Sequence, residues 1–328
     1  EAWKSSYARQ GIDVTGLQVI PTCGAAEAIH MALFTVTDPG DEVLVFEPIY
    51  SGFSVLAAML GCTFVPIRTV FQNGYAFPDQ TTWDEKITDR TKAIILINPD
   101  NPTGRVVSCE EMERVAEFAR AHDLVLIVDE TYRELYMKEA VVPPCVLTLE
   151  AHRDRLILID SLSKRIGVPG MRLGAFVTYN TELKKQALKF AMSRSGTGRI
   201  EQRVAIPLLT QGTEIVSRNH AELCARLEVM VESLREIPDV EVFAPQGGMF
   251  VVIRIPGVNA QALLKFFLEE FRFEGQTVAF LSLQDFYISP EQGMEEVRLA
   301  AIYAPEQLRE AIGVLKEGLG IYLQTKRF

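Results

Sequence analysis

The first candidate for chemistry is Lys164, in the run Asp160-Ser161-Leu162-Ser163-Lys164-Arg165 that follows an apolar stretch, LILI. An amine just past the end of a buried strand, beside small hydroxyls and other cations, has its pKa lowered and can act as a nucleophile. Eight residues further on, Arg172 in Gly170-Met171-Arg172-Leu173-Gly174 offers a planar fork suited to a phosphate. Asp129 ends a second apolar run, LVLIVD, ahead of Glu130-Thr131-Tyr132. A carboxylate at the end of a buried strand is costly unless it meets a cation or a donor, so it demands a partner. Two turns complete the set: Asn101-Pro102-Thr103-Gly104, shortly after ILIN, and Gly24-Ala25-Ala26, between a strand and a helix. Small residues at the latter let backbone donors and the helix dipole meet a phosphate. Each signal alone has an ordinary alternative: solvated loop cations, a common turn, a helix cap at Asp129, a plain tight turn at Gly24.

The elements that must position these residues follow from hydrophobic periodicity. Strands are expected at 17–21, 42–46, 63–67, 92–98, 124–129, 155–160 and 173–178, with helices at 25–36, 49–60 and 108–122 between them. Nearly continuous apolar strands interleaved with helices predict an α/β fold, a mostly parallel central sheet flanked by helices on both faces. Such a sheet binds ligands at the carboxyl ends of its strands, where the candidate residues fall. Beyond residue 180 the pattern is helical through about 192, at 199–211 and in a long charged stretch at 213–236. Strands are then expected at 239–243, 248–255, 276–281 and 296–302, with helices at 260–271 and after Pro305. This predicts a large domain over 1–225 and a smaller C-terminal α+β domain over 226–328. The sequence contains no internal repeat and no low-complexity segment.

Composition excludes several classes. The chain has 328 residues, 48% apolar and 23% charged, an ordinary soluble globular composition long enough for two domains. With 33 basic against 43 acidic residues the net charge is −10, which argues against nucleic-acid and anionic-membrane partners. No apolar run is long enough to span a membrane, and the segment opening at Glu1 is polar, unlike a secretory signal. The odd set Cys23, Cys62, Cys109, Cys145 and Cys224 forms no CxxC pair, and the four histidines lack metal-ligand spacing. Reduced thiols, a cytoplasmic location and no metal site are the expectation.

Seven stretches, taken together and in order, resemble the fold type I pyridoxal-phosphate enzymes, specifically the class I aminotransferases of the aspartate aminotransferase family. They are PTCGAAEAI, DPGDEVLVFEPIY, NPDNPTG, LIVDETY, DSLSKRIGVPGMRLGAF, QGGMFVV and EEVRLAAIY, and they span the chain. The resemblance implies pyridoxal 5'-phosphate as cofactor and transfer of an amino group between an amino acid and a 2-oxo acid by a ping-pong mechanism. It implies that Lys164 forms an aldimine with the cofactor aldehyde and then shuttles a proton, and that Asp129 keeps the pyridine nitrogen protonated. Asn101 and Tyr132 would bond the ring hydroxyl, and Tyr50 would stack on the ring. Arg172, Ser161 and the backbone around Gly24, Ala25 and Ala26 would hold the phosphate. Arg298, in Glu296-Val297-Arg298-Leu299, would bind the substrate α-carboxylate bidentately, with Asn101 beside it. A homodimer with active sites at the subunit interface is implied as well.

Two departures from the family pattern stand out. Members often carry Ser, Thr or Gln at the position of Ala26, so one side-chain donor to the phosphate is missing here. The chain also begins inside a helix that the family places after an N-terminal arm, a segment expected to be mobile and to carry a Tyr reaching the partner's phosphate. Arg194 is either a contact for an acidic substrate side chain, across a dimer interface, or a structural ion pair. The alternative functions are another enzyme on the same scaffold, such as a lyase, decarboxylase or cyclase, and a non-catalytic effector-binding domain.

Overall fold

The computed structural model describes residues 1–325. Its first sheet is built from β1 (Gln18–Thr22), β2 (Glu42–Glu47), β3 (Thr63–Arg68), β4 (Thr91–Ile97), β5 (Val125–Asp129), β6 (Leu156–Ser161) and β7 (Gly174–Thr178), in the order β1-β7-β6-β5-β4-β2-β3. Neighbours from β6 through β3 run parallel, and β7 alone is antiparallel to the strands beside it. The connections are α1 (Ala2–Ala8), α2 (Gly24–Val36), α3 (Ser51–Leu60), α4 (Gln80–Asp84), α5 (Cys109–Ala121), the single turn α6 (Leu162–Arg165), α7 (Thr181–Ser193), α8 (Arg199–Gln211) and α9 (Thr213–Arg235). Helix α5 starts where the sequence says it should. Ser108 and Glu111 form a reciprocal capping box, which satisfies two otherwise orphaned N–H groups.

Strand alternation decides which face each site residue meets. In β5 and β6, Leu126, Val128, Leu156 and Leu158 pack into the core that includes Trp3, Tyr7 and α5. Ile127, Ile157 and Ile159 pack into the opposite core, which contains α2 and α3 residues. Asp129 and Ser161 keep that second parity and therefore emerge on the α2 side, whereas Asp160 turns to the α1 side. In register, Asp129 lies between Ile97 of β4 and Ile159 of β6, so the ends of three adjacent parallel strands converge on one place.

The second sheet is antiparallel, in the order β10-β11-β9-β8, from β8 (Glu241–Phe243), β9 (Phe250–Arg254), β10 (Leu281–Ser282) and β11 (Glu296–Ala300). It packs with α10 (Ala260–Glu269), α11 (Pro305–Thr325) and the C-terminal half of α9 through Leu227, Val251, Leu263, Phe267 and Leu315. The strand expected at 276–281 shrinks to Leu281–Ser282. The residues before it are engaged by the end of α10, where Thr277 donates to the carbonyl of Phe267 (2.7 Å) and Arg272 donates to those of Phe267, Leu268 and Phe271. The bonds to Phe267 and Leu268 satisfy terminal carbonyls of α10, and Thr277 is drawn to the helix end rather than into the sheet.

Candidate active site

A cavity of about 350 Å³ opens at the convergent strand ends. Ala25, Ala26, Tyr50, Asn101, Asp129, Tyr132, Ser161, Lys164, Arg172 and Arg298 all line it, whereas Gly24, next to Ala25, and Arg194 do not. Lys164 reaches it from α6, a helix too short to announce itself by periodicity. Ser161 caps that turn by accepting from the N–H of Ser163 at 3.1 Å, and its own hydroxyl donates to Ser163 at 2.9 Å. The Lys164 Nζ stands 5.8 Å from the Tyr132 ring centroid. Burial, aided by the positive charge of Arg298, holds its pKa below that of a free lysine. A less basic amine is a better nucleophile near neutral pH, the property expected of this lysine.

One end of the cavity is built for an anion. Gly24 begins α2 with φ +77°, and a Cβ there would lie 2.4 Å from a terminal nitrogen of Arg172. Glycine therefore permits both the turn and the close approach of the guanidinium. Arg172 donates to the carbonyls of Pro169 (3.0 Å) and Cys23 (3.2 Å), which fixes it over the α2 N-terminus. Ala25 and Ala26 line the same end, and Ala26 presents no side-chain donor.

The other end is built for a cation. Asp129 Oδ1 accepts from the Thr131 N–H (2.9 Å) and hydroxyl (2.6 Å), while Oδ2 has no donor among the described residues. Burial lifts its pKa to about 6, with Thr131 opposing and the nearby charge of Asp160 adding to the rise. A protonated ring nitrogen is the partner such a carboxylate lacks. Tyr132 is buried beside it, its phenol pushed up by burial and then by Asp129, so it stays a neutral donor. Tyr50, half-exposed at the start of α3, walls one side. An anion site, an amine, an aromatic wall and an unpaired carboxylate around one cavity fit the phosphate, aldehyde, ring and pyridine nitrogen of pyridoxal 5'-phosphate.

Arg298 extends from β11 across to the first sheet. Its guanidinium lies 4.0 Å from the Phe250 ring and 4.6 Å from the Phe286 ring, and it donates to Asn101 Oδ1 at 2.7 Å. Burial lowers its pKa, against the opposing pull of Tyr132 and Tyr50. It has no carboxylate partner among the described residues, whereas the buried arginines Arg133 and Arg165 each pair with one. A desolvated, stacked guanidinium without an anion is a receptor for one.

Within the chain, Arg194 forms the structural ion pair. It pairs with Glu27 (Nε to Oε1, 3.2 Å) and donates to the carbonyl of Pro21 (2.7 Å), while Glu27 accepts from the N–H of Cys23 at 2.6 Å. These bonds brace the turn ahead of Gly24. Sequence reasoning missed Thr131 as the partner of Asp129, the two phenylalanines flanking Arg298, and Asp160. The Asp160 carboxylate accepts from Trp3 (2.7 Å), Tyr7 (2.6 Å), Arg165 (3.1 Å) and the N–H of Ser161 (2.6 Å). Burial opposes its ionisation, but Arg165, Arg133 and these donors outweigh it and hold its pKa below the usual range. The signal was available, since Asp160, like Asp129, is a charge at the end of a buried strand.

Comparison with known proteins agrees with this geometry. Residues 6–315 match the family model for aminotransferase class I and II. The arginine–pyruvate transaminase AruH of Pseudomonas aeruginosa is 30% identical over 308 residues, 92% of this chain and 75% of the relative. The LL-diaminopimelate aminotransferase of Gloeobacter violaceus is 29% identical over 309 residues, 93% of this chain and 75% of the relative. Among solved structures, the N-succinyldiaminopimelate aminotransferase of Mycobacterium tuberculosis superposes with a TM-score of 0.86 at 27% identity, over 97% of this chain and 83% of the other. The chain belongs to the class I and II aminotransferases, and pyridoxal 5'-phosphate is its cofactor.

Proposed function

We propose that the cavity beside Lys164 is the active site of this aminotransferase and that its residues divide the work as follows. When bound, the cofactor supplies an aldehyde and an electron-accepting ring that weakens bonds at the substrate α-carbon. Arg172, Ser161 and the α2 N-terminus at Gly24, Ala25 and Ala26 hold its phosphate, and Tyr50 covers the ring. Asp129 keeps a proton on the ring nitrogen, and Asn101 and Tyr132 donate to the ring hydroxyl. Arg298 takes the α-carboxylate of the incoming amino acid, with Asn101 fixing one edge of the guanidinium. Lys164 would hold the cofactor through Nζ and would carry a proton from the substrate α-carbon. The observation that carries this reading is the convergence of Asp129, Lys164 with Arg172, and Arg298 on one cavity from three separate stretches of sequence.

The relatives are named for arginine and for diaminopimelate derivatives. These substrates share an α-amino acid group, which matches the single carboxylate receptor at Arg298. Division into a large domain over 1–225 and a small one over 226–328 is supported by the two sheets and their separate cores. A homodimer is supported by exposed apolar side chains on α7 and α8, with Met192 80% and Ile200 77% exposed. A cytoplasmic location is supported by five free thiols, and no helix among the described residues is long and apolar enough to cross a membrane.

The test is Lys164→Ala combined with a screen of amino donors against 2-oxoglutarate. The variant should retain cofactor non-covalently and lose turnover with every donor that the wild type uses. Wild-type turnover in the variant would remove Lys164 from its role.

A further inference from the structure

Glu47 closes β2, three residues before Tyr50, and its side chain is fully buried. Its Oε2 accepts from the N–H of Ile288 at 2.9 Å and of Ser289 at 3.0 Å, and Oε1 is buried with no donor among the described residues. Beside it, the N–H of Ile49 donates to the carbonyl of Phe286 at 2.8 Å. Three hydrogen bonds thus join the strand end that presents Tyr50 to the loop that presents Phe286, and Phe286 is one of the two rings against Arg298. Bonds from N–H groups to a carboxylate in a buried setting are about twice as strong as neutral ones and are screened much less by salt than exposed ones. Tyr287, in the same loop, donates to Glu296 at 3.0 Å, so the loop keeps one anchor without Glu47.

We infer that Glu47 is a positioning residue for substrate binding. By holding the Ile288 and Ser289 amides it keeps Phe286 against the Arg298 guanidinium. That contact leaves the guanidinium with the orientation set by Phe250 and Asn101, open toward the cavity. Glu47 touches neither cofactor nor substrate and acts through Phe286. This inference rests on Arg298 being the carboxylate receptor.

The experiment is a single-turnover amino-acid titration of the cofactor-loaded protein, following cofactor absorbance, in wild type, Glu47→Ala, Glu47→Gln, Phe286→Leu and Arg298→Ala, with thermal unfolding measured alongside. Glu47→Ala should raise the apparent Kd for α-amino acids about tenfold while the limiting rate and the starting spectrum stay within about twofold. Glu47→Gln should return close to wild type, because one amide oxygen can accept both N–H groups. Phe286→Leu should weaken binding in the same sense, and Glu47→Ala combined with Phe286→Leu, titrated in the same way, should be no worse than the worse single, since both act through one contact. A Glu47→Ala protein with lowered melting temperature but unchanged Kd would make the residue a structural tie only. Should Glu47→Ala fail to fold, an unchanged Kd in Phe286→Leu would overturn the inference equally. If Arg298→Ala binds like wild type, the receptor assignment itself fails. If Arg298→Ala is weak and the Glu47 and Phe286 variants are normal, only the role of Glu47 fails.

Discussion

Truncation of Arg298 is the perturbation whose size follows most directly from the geometry. The guanidinium lies against the Phe250 and Phe286 rings and is held at one nitrogen by Asn101, and its side chain lines the cavity. Because the site is desolvated and the receptor pre-oriented, little of the interaction is lost to ordering or screening. Losing one partner of such a bidentate pair costs roughly 2 to 5 kcal/mol, which is about 30- to 4,000-fold in apparent affinity. Arg298→Lys keeps the charge but loses the fork and most of the stacking on two rings, worth about 1 kcal/mol at each. It should fall between wild type and Arg298→Ala. The assay is single-turnover conversion of the cofactor spectrum against amino-acid concentration. The starting spectrum should match wild type in both variants, because Arg298 acts on substrate and not on the ring. Equal affinities across the three proteins would refute the reasoning and leave the α-carboxylate without a partner.

Three further outcomes concern the cofactor. In cofactor-free protein, burial raises the Asp129 pKa from 3.8 to about 6, so the folded state binds the proton more tightly than the unfolded state. Its contribution to stability is therefore complete below pH 3.8 and is lost as the pH passes 6, about 3 kcal/mol in all. Asp129→Asn should flatten that part of the stability curve, and a curve superimposable on wild type would show that burial does not act as described; Asp129→Ala, once loaded, should retain cofactor and lose most activity. Gly24→Ala places a methyl 2.4 Å from Arg172 at a left-handed φ, so dialysis should strip cofactor from it as readily as from Arg172→Ala, and wild-type retention in both would rule out this phosphate site. Ala26→Ser supplies the hydroxyl that the sequence lacks, and one added hydrogen bond of about 0.5 to 1.5 kcal/mol should slow cofactor release by about 2- to 10-fold, whereas faster release would mean that Ala26 does not face the phosphate.

The large sheet was legible because each strand is a nearly continuous apolar run, and its polar terminal residue marks where packing gives way to chemistry. Asp129, Ser161 and Lys164 could be found by that rule, and β-strand parity then places the first two on the α2 face. What could not be read depends on side chains that meet only after folding. Arg298 and Asn101 are 197 residues apart, and Trp3 meets Asp160 across 157, so no local pattern connects them. Arg194 was ambiguous because its partner Glu27 belongs to a helix whose position relative to α7 only the fold determines. The run at 276–281 has strand composition, yet the open carbonyls at the end of α10 claim its Thr277. Short elements such as α6 have too few residues for periodicity, and there the capping serine was the available sign.

The central claim is that the cofactor is held by the amine at the end of β6. Borohydride treatment of the loaded protein followed by peptide mapping tests it most directly, because reduction fixes the cofactor to whichever amine carries it. The label should be found on Lys164 alone. Label on any other lysine, with Lys164 recovered unmodified, would contradict the assignment and the site built around it.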